Sequence, residues 1–552
     1  MKRLLCILLA AGSYLQTNAQ SWQWLQSPTV NGNSTFKKMD MDNNGNIYTV
    51  GNLYQDATFG STTINSPGNY FSLYLTKQSA SGVYQFAQRI WSDEGIYTAV
   101  VKTDDQANVY VFGTCSGSQL HLSSTYSVTF TQPSSGSTNK MFLAKYSSNG
   151  TLIWAKTAES PQLYANARSI TNIGGDILIG GDYYGSCAFL GENFASTQAN
   201  KAFLMRVNPS GASQWLQISE NNAMVFITRI VTDGSYVYAT GKFQNVIKFG
   251  VHNVTNPGFT PGGERIFLFK FDASNGTPQW GKEEGGPANY VTTGEEGNNA
   301  NALACDANGN VFVGGSYQDA AGSAQNMLQK PFVSKYNASN GTKLWTVNFS
   351  SAVENAINSM AIDSNNNLIC AGEYLGSFNA GSISLPSDIA RKGMILRMNS
   401  SDGSVTSATS LGNTGFSANA QDLLLAPNKS FYLIGGVYKT NLNIGTLAVT
   451  SPGMATPFSA KYNLGNSVST RDLNNAIQYS LYPNPCSNLL QVSRSDNDAA
   501  TITITDLSGK VVYTQPSYTN QTGIEVSNLA AGQYFLKIVT AKGTGIKAFS
   551  KQ

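Results

Sequence analysis

The chain has 552 residues, 41% of them hydrophobic and so enough to fill a sizeable core, but only 12% charged, about half the usual soluble share. Lys and Arg number 35 against 32 Asp and Glu, a formal net charge of +3. So nearly neutral a surface excludes a nucleic-acid partner, which needs a basic footprint.

The chain opens with "MKRLLCILLAAGSYLQTNAQ". Lys2 and Arg3 precede an apolar run, Leu4 to Ala11, that is too short to span a bilayer, and Thr17-Asn18-Ala19 is a small-residue cleavage site. Residues 1–19 are expected to be a secretory signal peptide, with Gln20 first in the mature chain. Cys6 lies too early for a lipoprotein cleavage box, and no later stretch is long and apolar enough for a transmembrane helix. Cys115, Cys187, Cys305, Cys370 and Cys486 are scattered and odd in number, so this is no disulfide scaffold.

Next comes "SWQWLQSPTV", whose Gln23-Trp24-Leu25-Gln26 recurs word for word at Gln214-Trp215-Leu216-Gln217. The recurrence belongs to a larger repeat. An apolar run, a polar turn, a second apolar run and a glycine appear seven times, as in "MDMDNNGNIYTVGNLY" and "LACDANGNVFVGGSY". The anchors are Gly51, Gly113, Gly181, Gly241, Gly315, Gly372 and Gly436, 57 to 74 residues apart. Behind each comes a strand with a basic residue (Lys77, Lys145, Arg206, Lys270, Lys335, Arg397 or Lys461), then a turn. Trp154, Trp215, Trp280 and Trp345 follow four of these turns; Phe86 stands there in the first unit, and the sixth unit has no aromatic.

Four short strands per unit and seven units predict an all-β fold, a seven-bladed β-propeller over residues 20–465, whose closure hides strand edges. The seventh unit lacks its Trp strand, and "SWQWLQ" at the other end of the chain is expected to supply it. The units resemble the bacterial β-propeller repeat, best at Asp306, Gly309, Asn310, Val311, Phe312, Val313, Gly315, Lys335, Tyr336, Asn337 and Trp345. That resemblance implies a fold and no activity.

Residues 466–478 read as a polar linker. After it, the alternation in "TITIT" and the turn at Ser508-Gly509 suggest about seven strands in a small immunoglobulin-like sandwich over 479–552. This segment resembles the type A sorting domain of the type IX secretion system of Bacteroidetes. The matching residues are Tyr482-Pro483-Asn484-Pro485, Asp506, Gly509, Lys510, Leu529, Gly532, Tyr534 and the closing Lys547 to Gln552. The resemblance implies passage through the periplasm, contact with the type IX machinery, and delivery to the outer cell surface or the medium. Pro483 and Pro485 are expected to hold an extended lead-in and Gly532 to supply a turn.

Catalytic residues are few. His121 and His252 are the only histidines, and no G-x-S-x-G or H-E-x-x-H occurs. The "DMDNNGN" stretch from Asp40 places Gly51 where a calcium loop needs Glu, so it reads as a tight hairpin turn. The "NASNGTKLW" stretch resembles the Trp-docking repeat of quinone-dependent dehydrogenases, but no adjacent Cys pair accompanies it. No cofactor and no metal are expected.

The within-unit turns are short, and the long connections alternate with them, so the long ones share one face. Long connections on a rigid scaffold usually carry binding. Tyr97, Tyr164, Tyr290, Glu283 and Glu284 are the candidate ligand-binding residues. The sequence therefore predicts an exported, monomeric, non-catalytic binding or adhesion module for an extracellular glycan or protein. The alternatives are a polysaccharide lyase or glycosidase, if acids such as Asp93, Glu94 and Glu159 converge, and a passive part of a surface layer.

Overall fold

The computed structural model describes residues 20–130, 139–158, 164–220, 224–256, 264–284, 298–319, 328–351, 355–464, 479–494, 497–506, 511–540 and 543–552. Every regular element among them is a β-strand. No helix among the described residues is long and apolar enough to cross a membrane. The chain divides into two compact units, 1–465 and 466–552.

In the first unit, sequence-adjacent strands pair antiparallel into successive sheets. Sheet 1 is Lys38–Met41, Ile47–Leu53, Ser72–Gln78 and Tyr84–Ser92. Sheet 2 is Ile96–Thr103, Val109–Cys115, Lys140–Tyr146 and Leu152–Thr157; sheet 3 is Tyr164–Ile173, Asp176–Phe189, Glu192–Val207 and Ser213–Ile218. Sheet 4 is Val225–Thr232, Tyr236–Gln244, Glu264–Asp272 and Pro278–Glu284; sheet 5 is Asn299–Cys305, Asn310–Asp319, Leu328–Asn337 and Lys343–Asn348. Sheet 6 is Ala356–Ile362, Asn367–Ala380, Ile383–Asn399 and Val405–Leu411. Sheet 7 takes Ala418–Leu425, Phe431–Tyr438 and Thr456–Asn463, and its fourth strand is Ser21–Gln26 from the other end of the chain. The expected pairing is present, with Trp24 opposite Lys461.

The first strand of each sheet contacts the first strand of the next, and that of sheet 7 returns to that of sheet 1. The arrangement is propeller-like. Hydrogen bonds join every neighbouring pair around this circle. Asp40 accepts from the Thr103 amide at 2.7 Å, Thr114 from the Ala167 amide at 2.8 Å, and Ser169 from the Ile230 amide at 3.1 Å. Thr228 donates to the Ala300 carbonyl, Asn301 to Asn358 at 3.5 Å, and Asn358 to the Ala420 carbonyl at 3.0 Å. The Met39 amide closes the circle on Asp422 at 3.2 Å.

The anchor glycines follow from strand pairing. A Cβ on Gly315 would lie 1.8 Å from the Asn299 carbonyl oxygen, and one on Gly241 1.8 Å from that of Phe226. The first strand bulges at each of these points, between Ala300 and Ala302 and between Ile227 and Arg229, and the bulge turns a carbonyl into the space a side chain would take. The strands that carry the anchors Gly51 and Gly113, Ile47–Leu53 and Val109–Cys115, are buried at every residue. These second strands are covered on both faces by neighbouring sheets, which is why they read as continuous apolar runs. Each Val, Leu, Ile or Phe side chain so buried is worth about 1.5–3 kcal/mol.

In units two, three and four the basic residue and the Trp form an inter-sheet bracket; in the fifth, Lys335 donates to the Ser400 carbonyl at 2.8 Å without Trp345. Trp154 Nε1 and Lys145 Nζ both donate to the Pro209 carbonyl, at 3.1 and 3.4 Å. Trp215 and Arg206 do the same to Ala273, at 3.1 and 2.9 Å, and Trp280 and Lys270 to Ala338, at 3.1 and 2.9 Å. Beneath these rings lie Gly211, Gly276 and Gly341, all at positive φ, where any Cβ would meet the indole.

The second unit has two sheets over one core. One runs Tyr479–Tyr482, Leu489–Arg494, Gln521–Glu525; the other runs Val511–Ser517, Ala500–Thr505, Gly532–Thr540, Gly543–Lys551. Leu490, Val492, Ile502, Ile524, Leu536 and Phe549 fill the space between them. Two local expectations need correction. Pro483 and Pro485 lie in a bent segment, each after a cis peptide bond, and not in an extended lead-in. Gly532 opens a strand; the turn before it is at 527–529.

Candidate binding surface

Because every pairing within a sheet is antiparallel, the second-to-third and fourth-to-first connections leave the same end of each sheet. Short turns occupy the other end. There Asp42 accepts from the amides of Asn44 and Asn46, both at 2.9 Å, from Asn46 Nδ2 at 2.9 Å and from the Tyr48 hydroxyl at 3.2 Å. Asp306 is used in the same way by Asn308 and Asn310. These carboxylates shape hairpin turns and have no lone pair left for a cation.

The long-connection end carries exposed aromatic rings. Tyr97 is 46% exposed and Tyr164 48%, each at the start of the first strand of its sheet. Tyr184, 43% exposed, pairs directly across from Tyr164. Tyr54 and Phe71 meet at 5.4 Å between ring centroids, and the Phe71 carbonyl accepts from the Ile96 amide at 2.9 Å, next to Tyr97. The rings therefore follow the rim of sheets 1, 2 and 3. The Tyr97 hydroxyl donates to the Glu94 carbonyl at 3.0 Å, which fixes its ring while one face stays open. Tyr54 and Tyr184 continue the anchor-glycine runs "GNLY" and "GGDYY", the sequence signal that would have found them.

Glu283 and Glu284 are expected in the long connection that holds Tyr290. Glu283 and Glu284 belong to the strand Pro278–Glu284 and not to a loop. Glu284 is buried; it accepts from the Tyr317 hydroxyl, from Ser334 Oγ at 2.7 Å and from Lys343 Nζ at 3.0 Å. Burial pushes its carboxyl above the usual range, against the pull of Lys343. Glu283 is raised for the same reason and faces Arg265 at 3.7 Å. Apolar spacing could not show that strand 4 of this sheet runs on through "GKEE". Tyr290 and Glu159 lie outside the described residues.

Several other described acids near this end serve the scaffold. Asp93 accepts from the Ser118 and Gln119 amides, each at 3.0 Å, and from the Ser118 hydroxyl. Burial works against its charge, but these bonds outweigh burial and hold the carboxyl below its ordinary value. Glu220 pairs with Lys248 at 2.6 Å, Glu264 with Lys242 at 2.6 Å and Asp388 with Lys392 at 3.1 Å. Among the described residues, no three His, Cys, Asp or Glu gather as a metal site. His121 stacks on Trp91 at 3.7 Å between ring centroids. His252 opens the hairpin strand His252–Thr255.

A second feature, missed in the sequence, is a cavity of about 210 Å³ lined by the first strands of all the sheets of the circle. Lys38, Lys102, Arg229, Asp40 and Asp422 line it. Lys38 is bonded to Asp422, and Lys102 to Asp40 at 2.8 Å. Burial above all, and Arg229 after it, push the Lys38 amine down to about 8. The signal was present as charges inside otherwise apolar runs, in "FKKMDM", "VVKT", "TRIV" and "QDLLL".

In the second unit, Asn484 ties the Tyr482-Pro483-Asn484-Pro485 motif to the last strand. Its Oδ1 accepts from the Ser550 amide at 2.9 Å, and the Cys486 amide donates to the Ser550 carbonyl at 2.9 Å. The Tyr534 hydroxyl donates to the Ala530 carbonyl at 2.9 Å, beside Leu529. Asp506 is described and partnered, whereas Gly509 and Lys510 lie outside the described residues.

Residues 480–552 match the family model for the secretion system C-terminal sorting domain. No curated protein matches the chain. Among solved structures, the quinohemoprotein alcohol dehydrogenase of Comamonas testosteroni is similar at 9% identity over 85% of this chain and 79% of that one, with a TM-score of 0.40. The GH93 α-L-arabinofuranosidase of Fusarium graminearum is similar at 8% identity over 80% and 98%, with a TM-score of 0.39. PorZ, a surface component of the type IX secretion system of Porphyromonas gingivalis, is similar at 10% identity over 96% and 100%, with a TM-score of 0.17.

Proposed function

We infer that the sorting domain marks the chain for export to the cell surface or the medium by the type IX secretion machinery. We propose that residues 20–465 form a seven-bladed β-propeller that acts there as a non-catalytic binding module for a glycan. The route begins with a signal peptide at 1–19, crosses the periplasm of a Bacteroidetes cell and ends with the tail, an immunoglobulin-like sandwich, engaging the machinery. The observation that carries the binding reading is the run of exposed rings, Tyr54, Phe71, Tyr97, Tyr164 and Tyr184, on the long-connection rim. An open aromatic face with a fixed hydroxyl suits the C–H face of a sugar ring and costs little side-chain entropy. Supporting it, Asp93, Glu220, Glu264, Glu284 and Asp388 are each bonded within the scaffold.

The test is a glycan array probed with the purified protein, followed by titration of the best ligand. Saturable binding without change to the glycan supports the reading. Cleavage of the bound polysaccharide, or binding unaffected by loss of Tyr97 and Tyr164, overturns it.

A further inference from the structure

We propose that the central cavity binds one small oxyanion group, held by the guanidinium of Arg229. The cavity wall carries three cations, Lys38, Lys102 and Arg229, and two carboxylates, Asp40 and Asp422. Both carboxylates are spent on joining sheets. Asp422 accepts from Lys38, from the Met39 amide at 3.2 Å and from Ser359 Oγ at 3.1 Å. Asp40 accepts from Lys102 at 2.8 Å and from the amide and hydroxyl of Thr103 at 2.7 and 2.6 Å. Arg168, on the neighbouring strand, is bonded to the buried Asp182 at 2.8 Å.

Arg229 is the cation left over. Its Nη1 donates to the Thr228 carbonyl at 3.0 Å, and among the described residues it forms no ion pair. The half-buried guanidinium feels the charge of Asp422, but that carboxylate is already bonded to Lys38, Met39 and Ser359, so Arg229 faces the cavity without an ion pair of its own. The planar fork of a guanidinium matches an oxyanion with two parallel hydrogen bonds. The volume of about 210 Å³ admits one phosphate, sulfate or carboxylate group with waters. The site is independent of the aromatic rim. Its occupant is either a free ion or the carboxylate of an acidic sugar.

Titration of the full chain with inorganic phosphate, acetate or glucuronate, at ionic strength held constant with chloride, reads the site by melting temperature and by calorimetry. At least one of the three is expected to give a saturable rise in melting temperature and one-to-one binding. Glucuronate binding as tightly as acetate identifies the sugar carboxylate as an accepted source; phosphate alone identifies the free ion. Arg229→Lys keeps the charge but loses the fork and is expected to weaken binding at least tenfold. Arg229→Met should abolish it with little change in melting in chloride, because the guanidinium forms no ion pair in the scaffold. If Arg229→Met does not fold, the Lys variant and the parent still decide. No saturable response to any of the three anions, or an equal response in the Lys variant, overturns the proposal.

Discussion

The indole nitrogen of Trp24 donates to the carbonyl of Ala80 at 3.3 Å, and Lys461 donates to the same oxygen at 3.2 Å. Trp24 comes from the start of the chain and Ala80 from sheet 1, so this bracket fastens sheet 7 to sheet 1 across the seam where the circle closes. The ring also covers Gly82, at positive φ. Trp24→Ala should therefore cost about 2–3 kcal/mol, less than for a fully buried Trp because this ring keeps some exposure. Urea unfolding checks it. A midpoint unchanged from the parent would mean that the seam holds without the bracket.

Glu284 is expected to matter for stability and not for ligand. Glu284→Ala leaves Tyr317, Ser334 and Lys343 facing an empty site and should cost about 3 kcal/mol. Because burial raises its folded-state pKa, the contribution from Glu284 is fully present below its unfolded value and lost as pH rises through the folded one. Glu284→Gln should flatten that decline between mildly acidic and neutral pH, as measured by denaturant midpoints across the range.

The frame was legible in the sequence because repetition reports it seven times over. The anchor glycines mark where a bulged first strand presses a carbonyl against the second, and Trp with Lys or Arg marks the bracket to the next sheet. The missing seventh Trp strand pointed to Trp24. Side chains at the ends of strands were less legible. Glu283 and Glu284 read as loop residues, since a polar ending does not say where pairing stops. The cavity charges were hidden for another reason. Arg229 and Asp422 come from units nearly 200 residues apart, and only closure of the circle sets them across one space.

On the rim, Tyr97→Ala and Tyr164→Ala remove rings that are about half exposed. Each should change stability by no more than about 0.5 kcal/mol and weaken glycan binding about tenfold or more, as truncation of an aromatic contact does. Calorimetric titration alongside thermal melting separates the two effects. Equal loss of stability and binding would mean that the rings serve the fold.

Lys38 gives the cavity a signature in alkali. Its amine titrates near 8 in the folded chain, below the ordinary 10.5. Between those values the unfolded chain binds the proton and the folded one does not, so stability rises with pH by up to about 1.4 kcal/mol per unit from this group. Below 8 both states are protonated and the gain is absent. The difference between the parent and Lys38→Met, followed from pH 7 to 10.5, should carry that slope. A flat difference would mean that Lys38 is as well solvated as a surface lysine.

The last prediction concerns the tail. Residues 1–465 and 466–552 are separate compact units, each with its own strand pairing. Sheet 7 is completed by Ser21–Gln26, so every sheet of the first unit finds its strands before residue 465. A chain ending at Gly465 should therefore fold with the same melting temperature, read by circular dichroism, because no core side chain of the circle is lost. In a cell with a type IX system it should stop in the periplasm, since the matched sorting domain begins at residue 480. Residues 466–552 fused to an unrelated exported protein should carry that protein outward. The motif should be needed as well as the strands. Asn484 joins the bend before Cys486 to the last strand through Ser550, so Asn484→Ala loosens the closing contact and should lower surface delivery of the fusion while its cargo stays folded. Fractionation with a surface protease settles both. Surface exposure of the truncated chain would place the signal in the circle itself, and an unfolded truncated chain would make the tail part of its core.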